Sequence, residues 1–248
     1  MHPGFLHFGF LTIPAFGLLA AIGLMLALGL SLRTAAMVDL SPDQLWNAGL
    51  FALIAAFVLS RLLLVIENLH TFFSFPILLL MVPSLTPTGL TLTAFATLIY
   101  LRTRDINILS ALDAWAPCAT LAWAFLAIGH FAEGSDPGLP SRLPWAMAIP
   151  PGSMRLHPVS LYAAIVAVML TIFLFAHLGR RSRAGDTVAL GLVLSGAAQF
   201  LLSFLREPAY YEDRFSRLLD PIQWVALGMI LVAGLLWQQP RKEISNAV

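Results

Sequence analysis

The chain has 248 residues, 59% of them hydrophobic and only 11% charged, with a formal net charge of +1 and a mean hydropathy of +0.84. A water-soluble domain of this size carries roughly a quarter charged residues, so the composition excludes a soluble core-and-surface architecture and makes the bilayer the solvent. The single cysteine, Cys118, excludes a disulfide framework and a cysteine zinc site; in its apolar stretch it reads as a packed thiol, with a nucleophile as the lesser reading.

A helix needs ~20 apolar residues to cross the hydrocarbon core. Taken in order, the apolar runs predict an all-α, polytopic membrane bundle of about seven spans, at 11–32, 48–67, 87–101, 108–131, 158–178, 187–205 and 220–237. Met1–Phe10 has neither the basic region nor the small-residue cleavage site of a secretory signal, so the first run is expected to stay as an anchor. Between the second and third spans, Pro76, Pro83 and Pro87 break an apolar stretch that reads as a re-entrant or interfacial segment.

Orientation follows from the loops, because basic loops resist translocation. Alternate loops hold Arg33, Arg102, Arg104, Arg180, Arg181, Arg183, Arg241 and Lys242, eight basic residues on one side, which is expected to be cytoplasmic. The amino terminus is then outside and the carboxyl terminus inside. The outer face gains two loops with content, a Gly/Pro-rich one at 132–157 and a charged one at 206–219. Irregular polar loops on a rigid scaffold are where function concentrates. No internal repeat and no chain of intramembrane acids suggests a transporter, and residues 1–248 read as one transmembrane domain.

Several residues are candidates for chemistry. Arg61 lies inside the second span, where an arginine costs about 2.5–3.5 kcal/mol on insertion scales. It reads either as an anchor for a lipid phosphate, whose oxygens its fork matches, or as a structural partner of Asp113 or Glu67. His130, three residues before Glu133, stands at the mouth of the fourth span, either as a proton acceptor or as a wetted helix end. His157 precedes Pro158, which suits a first helical turn, so His157 and Tyr162 fall together at the start of the fifth span; an interfacial tyrosine is the plainer reading. Arg206 closes the sixth span as an interface anchor or a phosphate ligand. No phosphate-cradling glycine loop, metal-ligand spacing or nucleic-acid patch occurs, so metal and nucleic acid are not expected.

In order along the chain, these segments resemble the prolipoprotein diacylglyceryl transferase family. The residues that carry the resemblance are His2-Pro3, Phe8 to Ile13, Phe16-Gly17-Leu18-Leu19, Ser60-Arg61-Leu62, Gly129-His130-Phe131, Gly134 to Pro140, Leu143 to Ala146, His157 to Tyr162, Phe204-Leu205-Arg206 and Asp220 to Gln223. The resemblance implies a seven-helix enzyme of the bacterial inner membrane that moves the diacylglyceryl group of phosphatidylglycerol, or of another anionic phospholipid, to the lipobox cysteine thiol of a lipoprotein precursor bearing its signal peptide. It implies no cofactor. His157, His130 and Arg206 take catalytic roles by analogy, and Arg61, Arg206, Gly134, Asp136, Gly138, Tyr162 and Gln223 hold the phospholipid. The chain departs from the family pattern at Phe16, where the family has tyrosine, at Ala127 and His130, where its signature has arginine and asparagine, at Pro87-Thr88-Gly89, and at Ala163, where it has glutamate. These departures keep open a second expectation, a non-catalytic lipid-binding or structural membrane subunit on the same scaffold.

Overall fold

A computed structural model of the chain describes residues 5–8, 11–75, 85–148, 154–207 and 219–238. Strands β1 (Phe5–Phe8) and β2 (Leu11–Pro14) pair antiparallel, with Phe5 opposite Pro14. Helix α1 (Ala15–Ala36) follows at once. The first span therefore begins four residues later than the apolar run suggests. Pro14 lacks an N–H and disfavours helical backbone at Ile13, so the run from 11 to 14 pairs as a strand instead.

Helix α2 (Pro42–Glu67) starts six residues before the expected second span, with Pro42 in its first turn. A short α3 (Leu69–Ser74) comes next; Pro76 and Pro83 of the expected re-entrant segment lie outside the described residues. Helix α4 (Pro87–Thr103) opens with the Thr86 side chain accepting from the Gly89 N–H, and α5 (Ile108–Glu133) with Asn107 accepting from the Ser110 N–H. Both caps satisfy donors that a helix start leaves over. The chain closes with α6 (Val159–Leu178), α7 (Asp186–Ser203) and α8 (Pro221–Gln238).

Six of these helices, α1, α2 and α5 to α8, are long and apolar enough to cross a bilayer. Helix α4, at 17 residues, rises about 25 Å and is the shortest of the seven expected spans. The bundle is apolar on its outside: Met25, Phe57, Ile99, Ile172 and Leu231 each stand more than half exposed. Its inside is built from small residues, Ala35, Ala48, Ala114, Ala167, Ala189 and Ala226 among them. Lipid gives no hydrophobic drive for helices to associate, so close backbone approach over alanine supplies the packing. Helix α5 is the hub, resting on α1, α6 and α7, while α8 lies on α7 and α4 on α2. The protein is a multi-pass helical membrane protein.

One end of the bundle is locked by Asp113, which is fully buried on α5. Its carboxylate accepts from Arg181 Nη1 at 2.6 Å, the Gly185 N–H at 2.7 Å and the Val188 N–H at 2.8 Å. Gly185 has φ +100, a backbone that glycine alone adopts at no steric cost, and that geometry delivers its N–H to the carboxylate. Arg181, rather than Arg61, is thus the partner of Asp113. Cys118 is buried, with Sγ bonded to the Ala114 carbonyl and 3.8 Å from Thr34 Oγ1, in keeping with a packing thiol.

Candidate functional site

At the opposite end, where α5 and α7 finish and α6 begins, extended segments are stitched across the helix ends. Gly138 bridges Arg206 antiparallel, with the Leu139 N–H donating to the Leu205 carbonyl at 2.8 Å and the Glu207 N–H to the Pro137 carbonyl at 3.2 Å. Pro140 bridges Leu156, with the His157 N–H donating to the Leu139 carbonyl at 3.0 Å and the Ser141 N–H to the Arg155 carbonyl at 2.8 Å. Strands β3 (Met147–Ala148) and β4 (Arg155–Leu156) extend the patch. The described parts of the Gly/Pro-rich loop, 134–148 and 154–157, therefore form a strap across these helix ends, and the pairing sets where their side chains fall.

Three polar side chains meet there, and His157 stands beside Gly138 close by. Arg206 Nη2 lies 3.0 Å from Asp136 Oδ2, and Ser160 Oγ donates to the same oxygen at 3.2 Å. Among the described residues, Arg206 Nε and His157 Nδ1 are buried without a hydrogen-bond partner. Gly138 is the neighbour that both share. It pairs with Arg206, and a Cβ there would run into the His157 carbonyl oxygen and stand 2.9 Å from His157 Cβ and 2.8 Å from Val159 Cγ2. Glycine is required at 138 because another strand already occupies the space of a side chain. The His157 ring centroid is 6.2 Å from that of Tyr162, and the Tyr162 hydroxyl accepts from Trp145 Nε1 at 2.7 Å, which ties the strap to α6.

The other sequence candidates take different places. Gly134, at φ 67, is the left-handed cap that ends α5. His130 is exposed, bonds Ser135 Oγ through Nδ1 at 2.8 Å and lies with its ring 4.7 Å from Phe16. Gln223 is buried, its Nε2 donating to Ser203 Oγ at 3.0 Å and its Oε1 accepting from the Asp220 N–H at 3.2 Å. Since the Arg206 N–H donates to the Ser203 carbonyl at 3.2 Å, Gln223 braces the turn that carries Arg206. Arg61 is half-buried on α2 beside the fully buried Ser60, on the helix that packs against α1 and α4.

Ser160 was not among the residues singled out from the sequence. A serine in a first helical turn is ordinary, and only the tertiary contact with Asp136 gives it a role. Ala127 and Ala163, where the resemblance implies charged residues, fall in one buried cluster with Ala164, covered by Trp123 and Leu202. Elsewhere, an apolar cavity of about 280 Å³ between α5, α7 and α8 is walled by Trp115, Trp123, Leu192 and Met229; it suits hydrocarbon, and the charged groups lie at the strap. Chemically, the strap offers a guanidinium whose buried Nε–H is open and an imidazole whose Nδ1 donates or accepts a hydrogen bond according to tautomer.

Comparison with known proteins finds similar chains. The chain is 30% identical over 148 residues to the phosphatidylglycerol–prolipoprotein diacylglyceryl transferase of Idiomarina loihiensis, covering 59% of this chain and 56% of that protein. It is 32% identical over 149 residues to the protein of the same name from Nitratidesulfovibrio vulgaris, covering 59% and 54%, and 32% identical over 142 residues to that of Methylobacillus flagellatus, covering 56% and 54%. The matched region spans about half the length of these curated relatives. The family model described as prolipoprotein diacylglyceryl transferase matches residues 3–238, and the chain belongs to that family.

Proposed function

We propose that this protein is a divergent diacylglyceryl transferase, in which the sulfur of a lipobox cysteine attacks the diacylglyceryl carbon of phosphatidylglycerol. The carbon–sulfur bond forms as the carbon–oxygen bond to phosphate breaks, and glycerol phosphate leaves. In this reading Arg206, with Arg61, meets the phosphate, and His157 or His130 takes the thiol proton, because the thiolate is the nucleophile. Asp136 holds Arg206, Gly138 and Gly134 shape the strap, and Tyr162 and Gln223 support the headgroup site. The strap end faces outward and the Asp113 end faces the cytoplasm of a bacterial inner membrane, and the partners are an anionic phospholipid and the signal peptide of a precursor.

The observation that carries the reading is the pair of open polar atoms, Arg206 Nε and His157 Nδ1, flanking Gly138. A buried donor left unpaired costs about 1–3 kcal/mol, and a phosphate oxygen and a thiol are groups that would satisfy them. A second reading, a lipid-binding protein without catalysis, is favoured by the apolar cluster that holds Ala127 and Ala163 where the resemblance implies charge.

Complementation separates the two. The protein is expressed in a conditional strain depleted of its own prolipoprotein diacylglyceryl transferase, beside an Arg206→Ala control, and lipoprotein maturation is followed by mass shift. Rescue that the control loses, by about 10²–10³-fold in rate for a removed charge-stabilising donor, supports the transferase. No rescue by protein confirmed in the membrane supports the lipid-binding reading.

A further inference from the structure

Ser160 lies in the first turn of α6 and is only 3% exposed. Its hydroxyl does not cap the helix, whose N-cap position is Pro158 with no side-chain bond. It donates instead to Asp136 Oδ2, the oxygen that also takes Arg206 Nη2. One carboxylate oxygen therefore joins a group fixed in a helix to a group at the end of another. A guanidinium is planar, so fixing Nη2 fixes the direction of the Nε–H as well, and Nε is the donor left open.

We infer that Ser160 is a positioning residue of the headgroup site: by holding the Asp136 carboxylate, its hydroxyl keeps the Arg206 guanidinium oriented with Nε–H free for a phosphodiester oxygen of an anionic phospholipid. The inference rests on the reading of Arg206 as the phosphate ligand. Asp136 alone sits on the strap, at a side-chain exposure of 20%, and has several rotamers to choose from; the bond from the helix selects one. A tenfold change in affinity corresponds to about 1.4 kcal/mol, the scale of one hydrogen bond to a charged group.

The test uses the full-length protein in nanodiscs or detergent, titrated with short-chain phosphatidylglycerol, with phosphatidylcholine as the zwitterionic reference and binding read by native mass spectrometry. Ser160→Ala is expected to weaken phosphatidylglycerol about tenfold, and Ser160→Thr, which keeps the hydroxyl, to bind like the wild type, with lipid-free thermal midpoints alike in all three. In an Asp136→Ala background, Ser160→Ala is expected to add nothing, since a residue that acts through another shows no separate effect once that partner is gone. Wild-type affinity in Ser160→Ala, a Thr variant as weak as the Ala variant, or losses that add across the double mutant would each overturn the positioning role. If the wild type prefers phosphatidylglycerol and Arg206→Ala abolishes that preference while Ser160→Ala does not, the headgroup reading stands and Ser160 falls. If the wild type shows no preference at all, the headgroup reading fails first, and the role of Ser160 with it.

Discussion

Two aspartates, one at each end of the bundle, show how the same side chain is used in opposite ways. Asp113 is fully buried and takes three donors, one guanidinium and two backbone N–H groups, all within 2.8 Å. Asp136 is partly exposed, accepts from Ser160 and pairs with Arg206 on one oxygen, and stands beside a guanidinium with an open Nε. At the first end both oxygens of the Asp113 carboxylate are answered, and the cluster acts as a rivet between α5 and the start of α7. The second keeps polar atoms unanswered, the mark of a place built to receive something. The two aspartates differ in how fully their partners are satisfied, rather than in the presence of an ion pair.

The sharpest way to break that contrast is Asp113→Ala. It strands a buried Arg181 and two N–H groups, and removing one partner of a buried pair costs about 3–5 kcal/mol. The expected result is a steep drop in thermal midpoint and in the yield of inserted protein; a variant that melts like the wild type would mean that this end is no rivet. Gly138→Ala has a smaller effect and a different signature. Its new methyl meets the His157 carbonyl, overpacking that typically costs about 1–3 kcal/mol, and the strap must move away from His157. Binding of phosphatidylglycerol should fall by more than the loss of stability accounts for, in a paired thermal and binding measurement. An unchanged lipid affinity would show that the strap geometry does not matter to the site. Tyr162→Phe is the mildest, removing one hydrogen bond to an exposed Trp145. About 0.5–1.5 kcal/mol is expected from a neutral bond, visible as earlier proteolysis of the 132–157 loop with the helices intact.

Much of the fold was legible because crossing a bilayer leaves a signal longer than any local exception: the spans from 108, 158, 187 and 220 begin and end within two residues of α5 to α8. The error at residues 11–14 came from an apolar run that a proline turns into a strand. The site was less legible. Composition and spacing offered Arg61, Arg206 and two histidines without saying which met, and the assembly of Asp136, Gly138, His157 and Arg206 came from the family resemblance. The partner of Asp113 was missed because Arg181 lies 68 residues away, beyond any helical spacing. Gln223, read as a headgroup ligand, has both amide atoms bonded at the start of α8, a bracing that no linear pattern shows. Ser160 stood in a segment that carried the resemblance but was given no role of its own, because its meaning depends on the carboxylate 24 residues upstream.

The paired alanines carry a consequence for any attempt to put charge into this cluster. Ala127 and Ala163 lie together under Trp123 and Leu202, where the resemblance implies an arginine and a glutamate. Ala127→Arg alone would bury a cation with no anion at 163, and Ala163→Glu alone would do the reverse; a lone buried charge of either sign is strongly unfavourable. Each single step toward the charged pattern therefore passes through a lone buried charge, and the same two intermediates stand on the way back, so only a paired exchange keeps the cluster charge-balanced throughout.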